Sequence, residues 1–309
     1  MSTAAPVPVT HRLDLEGDDA LKTIREVGTA ALLERSFLRF RLADGFSHSR
    51  ALAFQLILTL LPGLIAMVGL ASVLGQETLT EVMTGTVEEI APGPAGQLLT
   101  QAFEQGSESA RSGETALVLG LLATIVAAAG AMGQIERGSN RLYGVERDRP
   151  TVRKYLVALA LALTAGAATV LAFILIVFGS SLGDVLASAK GWSDVAETSW
   201  SIARWPLGAT LVAAAVALLF KLSPHREQPD FSWLALGSSV AVLLWFSFTG
   251  LLALYIGASK EFGETYGPLA GVIGLMLWAF VGALALFLGL AVAAQLEAER
   301  AGSSNPSRR

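Results

Sequence analysis

Long runs without a single Asp, Glu, Lys or Arg alternate along this chain with short polar segments. The charge-free runs cover 51–76, 115–135, 155–183, 205–220, 231–259 and 265–296, and are 26, 21, 29, 16, 29 and 32 residues long. A helix rises about 1.5 Å per residue, so about 20 apolar residues cross the hydrocarbon core of a bilayer. Five runs clear that length. The fourth is counted too, because an odd number of crossings would put the loops beside it on the wrong faces. The pattern predicts an all-α, polytopic membrane protein. Its six transmembrane helices are expected at about 51–75, 115–134, 155–180, 205–221, 233–257 and 267–295, within one domain over 51–296.

The polar segments carry their own periods. Residues 1–19 hold Pro, Thr and Asp without a repeat and are expected to be disordered. Over 20–50 the chain turns amphipathic: Leu21, Ile24, Ala31 and Leu38 recur at helical spacing among Lys22, Arg25, Arg35, Arg39 and Arg41. That suits a helix in the cytoplasmic interface with its arginines at anionic headgroups, or a helix packed on the ends of the bundle. In 76–114, two amphipathic stretches flank Pro92-Gly93-Pro94 and predict an extracytoplasmic helical hairpin. Seven glutamates against Arg111 make this hairpin acidic, either as a lid or as a solvated cap. Residues 297–309 form a short polar tail.

Basic residues assign the sides. Short loops rich in Lys and Arg resist translocation, and the loop between the second and third runs carries Arg137, Arg141, Arg147, Arg149, Arg153 and Lys154. With that loop inside, 18 of the 22 Lys and Arg fall on the cytoplasmic side and both termini are cytoplasmic. Trp192, Trp200 and Trp205 are then expected at the outer headgroup level. The N-terminus lacks the basic-then-apolar pattern of a cleaved signal, so the first span is expected to direct insertion.

Composition narrows the chemistry. A net charge of -4 argues against a nucleic-acid platform, and the absence of cysteine removes disulfides and thiolate metal sites. The three histidines, His11, His48 and His225, have no helical metal-ligand spacing. No phosphate loop, nucleophile elbow or buried carboxylate pair is visible, so the expectation is a protein without cofactor or metal and without catalytic activity. The spans hold no ionisable residue at mid-membrane, which disfavours a proton relay. Glu136 and Glu297, at cytoplasmic span ends, read as snorkelling or helix-end charges.

Polar positions inside the spans are few. Gln55 and Thr59 lie four apart on one face of the first span, and Pro62 frees the carbonyl of Leu58. Such a stripe either lines a pathway or joins helices by hydrogen bonds. Tyr266, Gly267, Gly271 and Gln295 mark the glycine-rich last span, which could hinge or slide.

The stretch AMGQIERGSNRLYGVERDRPTVRKYLVAL resembles the second cytoplasmic signature of the BrkB/YihY (UPF0761) family of bacterial inner-membrane proteins, in which an Asn, a Tyr-Gly pair and a basic run follow the second span. Here those positions are Asn140, Arg141, Tyr143 and Gly144. FKLSPHREQP is similar to the family's Tyr-Arg-x-x-Pro segment, with Phe220-Lys221 in place of Tyr-Arg, and the Tyr266-Gly267 pair and last span resemble its closing motif. The resemblance implies six helices in the inner membrane and a part in envelope integrity and serum resistance, with movement of lipids or other amphipathic envelope components. It also implies that the older family label, ribonuclease BN, is a misassignment. Three functional classes follow: a transporter or flippase-like protein acting on membrane lipids, a non-transporting scaffold for envelope proteins, and, ranked last, a membrane hydrolase or nuclease. Nucleic acid is not an expected partner.

Overall fold

The computed structural model describes residues 4–10, 15–74, 94, 96–98, 100–101, 113–177, 194–258 and 269–307. Among these the regular structure is all helix, with no strand. Two shorter helices come first, α1 (Gly17–Val27) and α2 (Thr29–Leu42). Six long ones follow: α3 (Gly45–Leu74), α4 (Gly113–Leu142), α5 (Thr151–Val177), α6 (Asp194–Leu222), α7 (Phe231–Ala258) and α8 (Ala270–Arg300).

The apolar runs explain the long helices. Five of them, α4 to α8, are long and apolar enough to cross a membrane among the described residues. The remaining one, α3, is 30 residues long and contains the run that starts at Ala51. Each long helix packs on its neighbours in sequence, and α8 returns to α3, so the six close into a ring. The walls expose large apolar side chains: Val126 is 74% exposed, Leu243 66% and Leu254 71%. Bare apolar walls of that kind suit lipid and not water.

The packed core sits at the end that carries both termini. Trp233, Tyr143, Phe40, Phe220, Phe287, Leu142 and Leu296 are all fully buried there. Half of the α8 span is buried, against at most 28% of any other, so α8 is the strut the others lean on. Glycine makes that possible at the α7/α8 crossing. A Cβ on Gly289 would lie 2.5 Å from Ala241 Cβ, and one on Gly237 would lie 2.7 Å from Ala293 Cβ. Small residues let the two backbones touch, as membrane helices require. The last helix runs unbroken from Ala270 to Arg300, and its Gly289 serves as a packing notch against α7.

Several boundaries differ from expectation. The fourth span extends eleven residues upstream to Asp194, with Pro206 inside the helix and Arg204 stacked on Trp205 at 5.7 Å. The charge-free criterion stops at Arg204, yet an arginine inside a helix can rest on an aromatic ring. The interfacial segment is two helices broken at Gly28, which has φ 85°. These helices pack on α7 and α8, which matches a helix pair seated on the bundle. Residues 4–10, expected to be disordered, are instead docked under the bundle: Ala4, Val7 and Thr10 are buried. Their backbone is tied by Ala4 N to Arg141 O (3.2 Å), Val7 N to Tyr143 O (3.1 Å) and Ala5 N to Pro306 O (2.8 Å). Most of the proposed hairpin over 76–114, together with Trp192, Tyr266 and Gly267, lies outside the described residues.

Candidate functional site

Buried charge is the strongest feature of the terminal end. A charge taken out of water is tolerated only when it is paired and hydrogen-bonded, and five elements converge here to do that. Arg39, on the buried Leu32–Ser36–Arg39–Phe40 face of α2, is fully buried. Its Nε donates to Gln295 Oε1 (2.8 Å), and its Nη1 donates to the carbonyls of Ala5 (3.0 Å) and Leu142 (2.9 Å). None of these direct partners is a carboxylate. Burial accordingly pulls the guanidinium down to about 10, while the more distant Glu299 and Glu297 oppose that fall.

A second guanidinium completes the lock. Arg226 Nη2 donates to Glu297 Oε1 at 2.7 Å and to Pro8 O at 3.1 Å, and its head stacks over the Tyr143 ring at 4.7 Å. Thr10 Oγ1 donates to the same carboxylate oxygen at 2.6 Å. Gln295 passes the network to the tail through Glu299 (2.7 Å) and Ser304 O (2.7 Å), and Arg35 pairs with Glu299 at 2.9 Å. The lock is not saturated: Arg39 Nη2, Arg226 Nη1 and Glu297 Oε2 are buried without a protein partner. Burial also raises the Tyr143 phenol.

Helix ends explain a third cluster. The last carbonyls of a helix have no intrahelical donor and carry the negative end of its dipole. Arg149 covers those of α6, donating to Ser223 O (2.6 Å), Leu222 O (3.1 Å) and Pro224 O (2.8 Å). Glu136, 2% exposed, holds that guanidinium at 3.3 Å. Asn140 bridges two loops: its amide donates to Asp148 Oδ1 (2.9 Å) and its oxygen accepts from His225 N (2.7 Å). Asp148 in turn faces Arg137, Arg141 and Lys154 at 4.0, 3.6 and 3.8 Å.

The structure therefore brings Asn140, Arg141, Tyr143 and Gly144 together with Gln295. Gly144 is required twice over. Its φ is +74°, and a Cβ there would lie 2.5 Å from Pro6 Cα in the docked N-terminal segment. Glu136 and Glu297 do not snorkel; both are buried and ion-paired. Arg39 likewise faces protein and not headgroups, because the helical period places it on the packed side of α2.

Gln55, Thr59 and Pro62 lie elsewhere, up the α3/α4 contact. Thr59 Oγ1 donates to Gln55 O (2.8 Å), and Gln55 Oε1 lies 3.1 Å from where a Cβ on Gly130 would sit. Gly271 is at the opposite end of α8, against Pro94 and Leu98. Arg39, Arg226 and Thr10 were not singled out from the sequence. For Arg39 the signal was there, a cation recurring in step with Leu32, Ser36 and Phe40.

The profile of a family described as "Virulence factor BrkB" matches residues 36–309. The ribonuclease-like protein YfkH of Bacillus subtilis is 27% identical over 259 residues, covering 84% of this chain and 92% of that protein. A UPF0761 membrane protein of Xanthomonas axonopodis pv. citri is 26% identical over 285 residues, covering 89% of this chain but 63% of its own length. One from Halorhodospira halophila is 27% identical over 183 residues, 59% of this chain and 39% of that protein. This chain thus spans most of the Bacillus relative but less than two thirds of these UPF0761 proteins. No solved structure matches significantly.

Proposed function

The chain belongs to the BrkB family of membrane proteins, and from that premise we propose that it is a transporter or flippase-like protein for lipids or other amphipathic envelope components. It sits in the bacterial inner membrane with six crossings and both termini in the cytoplasm. The observation that carries the reading is the α3/α4 seam: Gln55 and Thr59 put polar groups beside Pro62 and Gly130, between walls that are otherwise apolar. An amphipathic molecule needs that combination, a hydrogen-bonding track for its head beside lipid for its tails. The buried lock at one end supports a bundle closed toward the cytoplasm in this conformation. The ribonuclease-like name belongs to the Bacillus relative and is not carried over, since the polar groups of the lock hold helix ends together.

The test is lipid translocation in reconstituted vesicles carrying a headgroup-labelled phospholipid. Wild-type protein accelerates exchange between leaflets, and Gln55→Leu slows it while the protein still folds and inserts. Exchange that is no faster than in protein-free vesicles, or that is unchanged by Gln55→Leu and by Gly130→Leu together, overturns the reading.

A further inference from the structure

A cleft of about 250 Å³ opens between the start of α3 and the end of α4. Ser47 and His48 line it from α3, and Gln134, Arg137 and Arg141 from α4, with Asp44 at its rim. Its charge is unbalanced. Arg137 is half exposed and its one carboxylate, Asp148, is 4.0 Å away and shared with Arg141 and Lys154. Arg50 donates to the Ser47 hydroxyl at 3.0 Å, adding a cation beside the cleft. Among the described residues, Arg137, Arg141 and Lys154 thus share the Asp148 carboxylate, and Asp44 is the acidic side chain lining the cleft. His48 contributes a hydrogen-bonding imidazole, with its Nδ1 3.1 Å from Gln134 Nε2.

Above the cleft both helices expose apolar side chains. Along α3, Phe54 and Leu58 follow Ala51 on one exposed face, at 58% and 41%. Along α4, Gly130, Val126 and Leu122 follow Arg137 on one face, and the last two are 74% and 58% exposed. A cationic cleft therefore lies at the base of two helices that expose apolar side chains, and one turn above it Gln55 Oε1 lies 3.1 Å from where a Cβ on Gly130 would sit. Basic pockets between membrane helices at the cytoplasmic level bind anionic lipid headgroups.

We propose that this cleft binds the phosphate of an anionic phospholipid of the cytoplasmic leaflet, with the acyl chains lying along the exposed apolar side chains of α3 and α4. The proposal deepens the lipid-handling reading and rests on its orientation, but binding does not require transport. Phosphate bears on Arg137 and the Arg50–Ser47 pair, and Asp44 at the rim disfavours a second negative charge, so a phosphodiester fits better than a phosphomonoester.

Native mass spectrometry of the full chain, released from micelles doped with phosphatidylglycerol or with phosphatidylcholine, tests it. Each surface cation contributes about 1 kcal/mol toward anionic lipid, or about fivefold in affinity. Wild type therefore retains phosphatidylglycerol over phosphatidylcholine. Arg137→Gln loses about fivefold of that preference, Arg137→Gln with Arg50→Gln roughly 25-fold, and Arg137→Lys keeps most of it. Arg25→Gln, on the exposed face of α1, leaves the preference unchanged. Inorganic phosphate at millimolar concentration does not displace the lipid. Equal retention of the two lipids, an equal loss with Arg25→Gln, or displacement by inorganic phosphate alone each overturns the proposal. If phosphatidylglycerol is retained selectively while vesicle exchange stays at background, the transport reading falls and this site stands; the converse pair of results does the reverse.

Discussion

Removing one partner of the Arg226–Glu297 pair should cost far more than removing both. The carboxylate is fully buried, the guanidinium side chain is 5% exposed and they meet at 2.7 Å. Arg226→Met leaves Glu297, among the described residues, with the Thr10 hydroxyl as its one donor, and a buried charge stranded in that way costs about 3–5 kcal/mol. Glu297→Met strands Arg226, whose other direct contacts are Pro8 O and the Tyr143 face, at a similar cost. The double substitution removes both charges and fills the space with apolar atoms. What it still loses is the Thr10 hydrogen bond, about 1 kcal/mol, and the stacking on Tyr143, about 1–2 kcal/mol. Additivity would give about 6–10 kcal/mol for the pair, whereas the expected loss is about 2–3 kcal/mol. Equilibrium unfolding in mixed dodecylmaltoside–SDS micelles, followed by circular dichroism, measures all four corners of the cycle. Single variants within about 1 kcal/mol of wild type, or a double variant equal to the sum of the singles, would refute the view that this pair is an interior ion pair.

Other perturbations probe separate parts of the lock. Gly144→Ala forces an L-residue to φ +74° and pushes a methyl into Pro6, so it should destabilise by about 1–3 kcal/mol and make residues 4–10 newly sensitive to limited proteolysis. Arg149→Lys should fail to rescue Arg149→Ala in the same unfolding assay, because three carbonyls and Glu136 take separate guanidinium donors that one ammonium cannot reach together. Gly289→Leu should loosen the α7/α8 crossing by about 1–3 kcal/mol or more, read as lower resistance to SDS. Burial holds the His48 imidazole below its ordinary 6.5, with Asp44 and Asp148 opposing the fall and Arg141 and Arg137 adding to it. The unfolded chain therefore takes up the proton first, so stability declines as pH falls below about 6.5, and His48→Gln should flatten that decline between pH 7.5 and 5.

How far the chain could be read from its residues follows from the range of each interaction. The long helices were legible because charge-free runs report directly on a local solvent, and among the described residues five helices are long and apolar enough to cross a membrane. The lock was not, because its partners are remote in sequence: Thr10 and Glu297 are 287 positions apart, and Arg39 and Gln295 are 256 apart. No window of a few turns joins them. The N-terminal segment misled for a related reason. An extended strip that docks through its backbone needs no side-chain period, so Ala4, Val7 and Thr10 carry no repeat to read. Charge was legible by side but not by task. In an antiparallel ring, α4, α6 and α8 all end where α3, α5 and α7 begin, so negative helix ends gather at one face. Arg39 lies on the end of α4 and Arg149 on the end of α6. The arginines that the charge bias reads as topogenic thus also cap the helix ends. Moving that bias to the other side of the chain would undo the lock along with the topology, and this coupling gives a physical reason for guanidinium where lysine would satisfy insertion equally well.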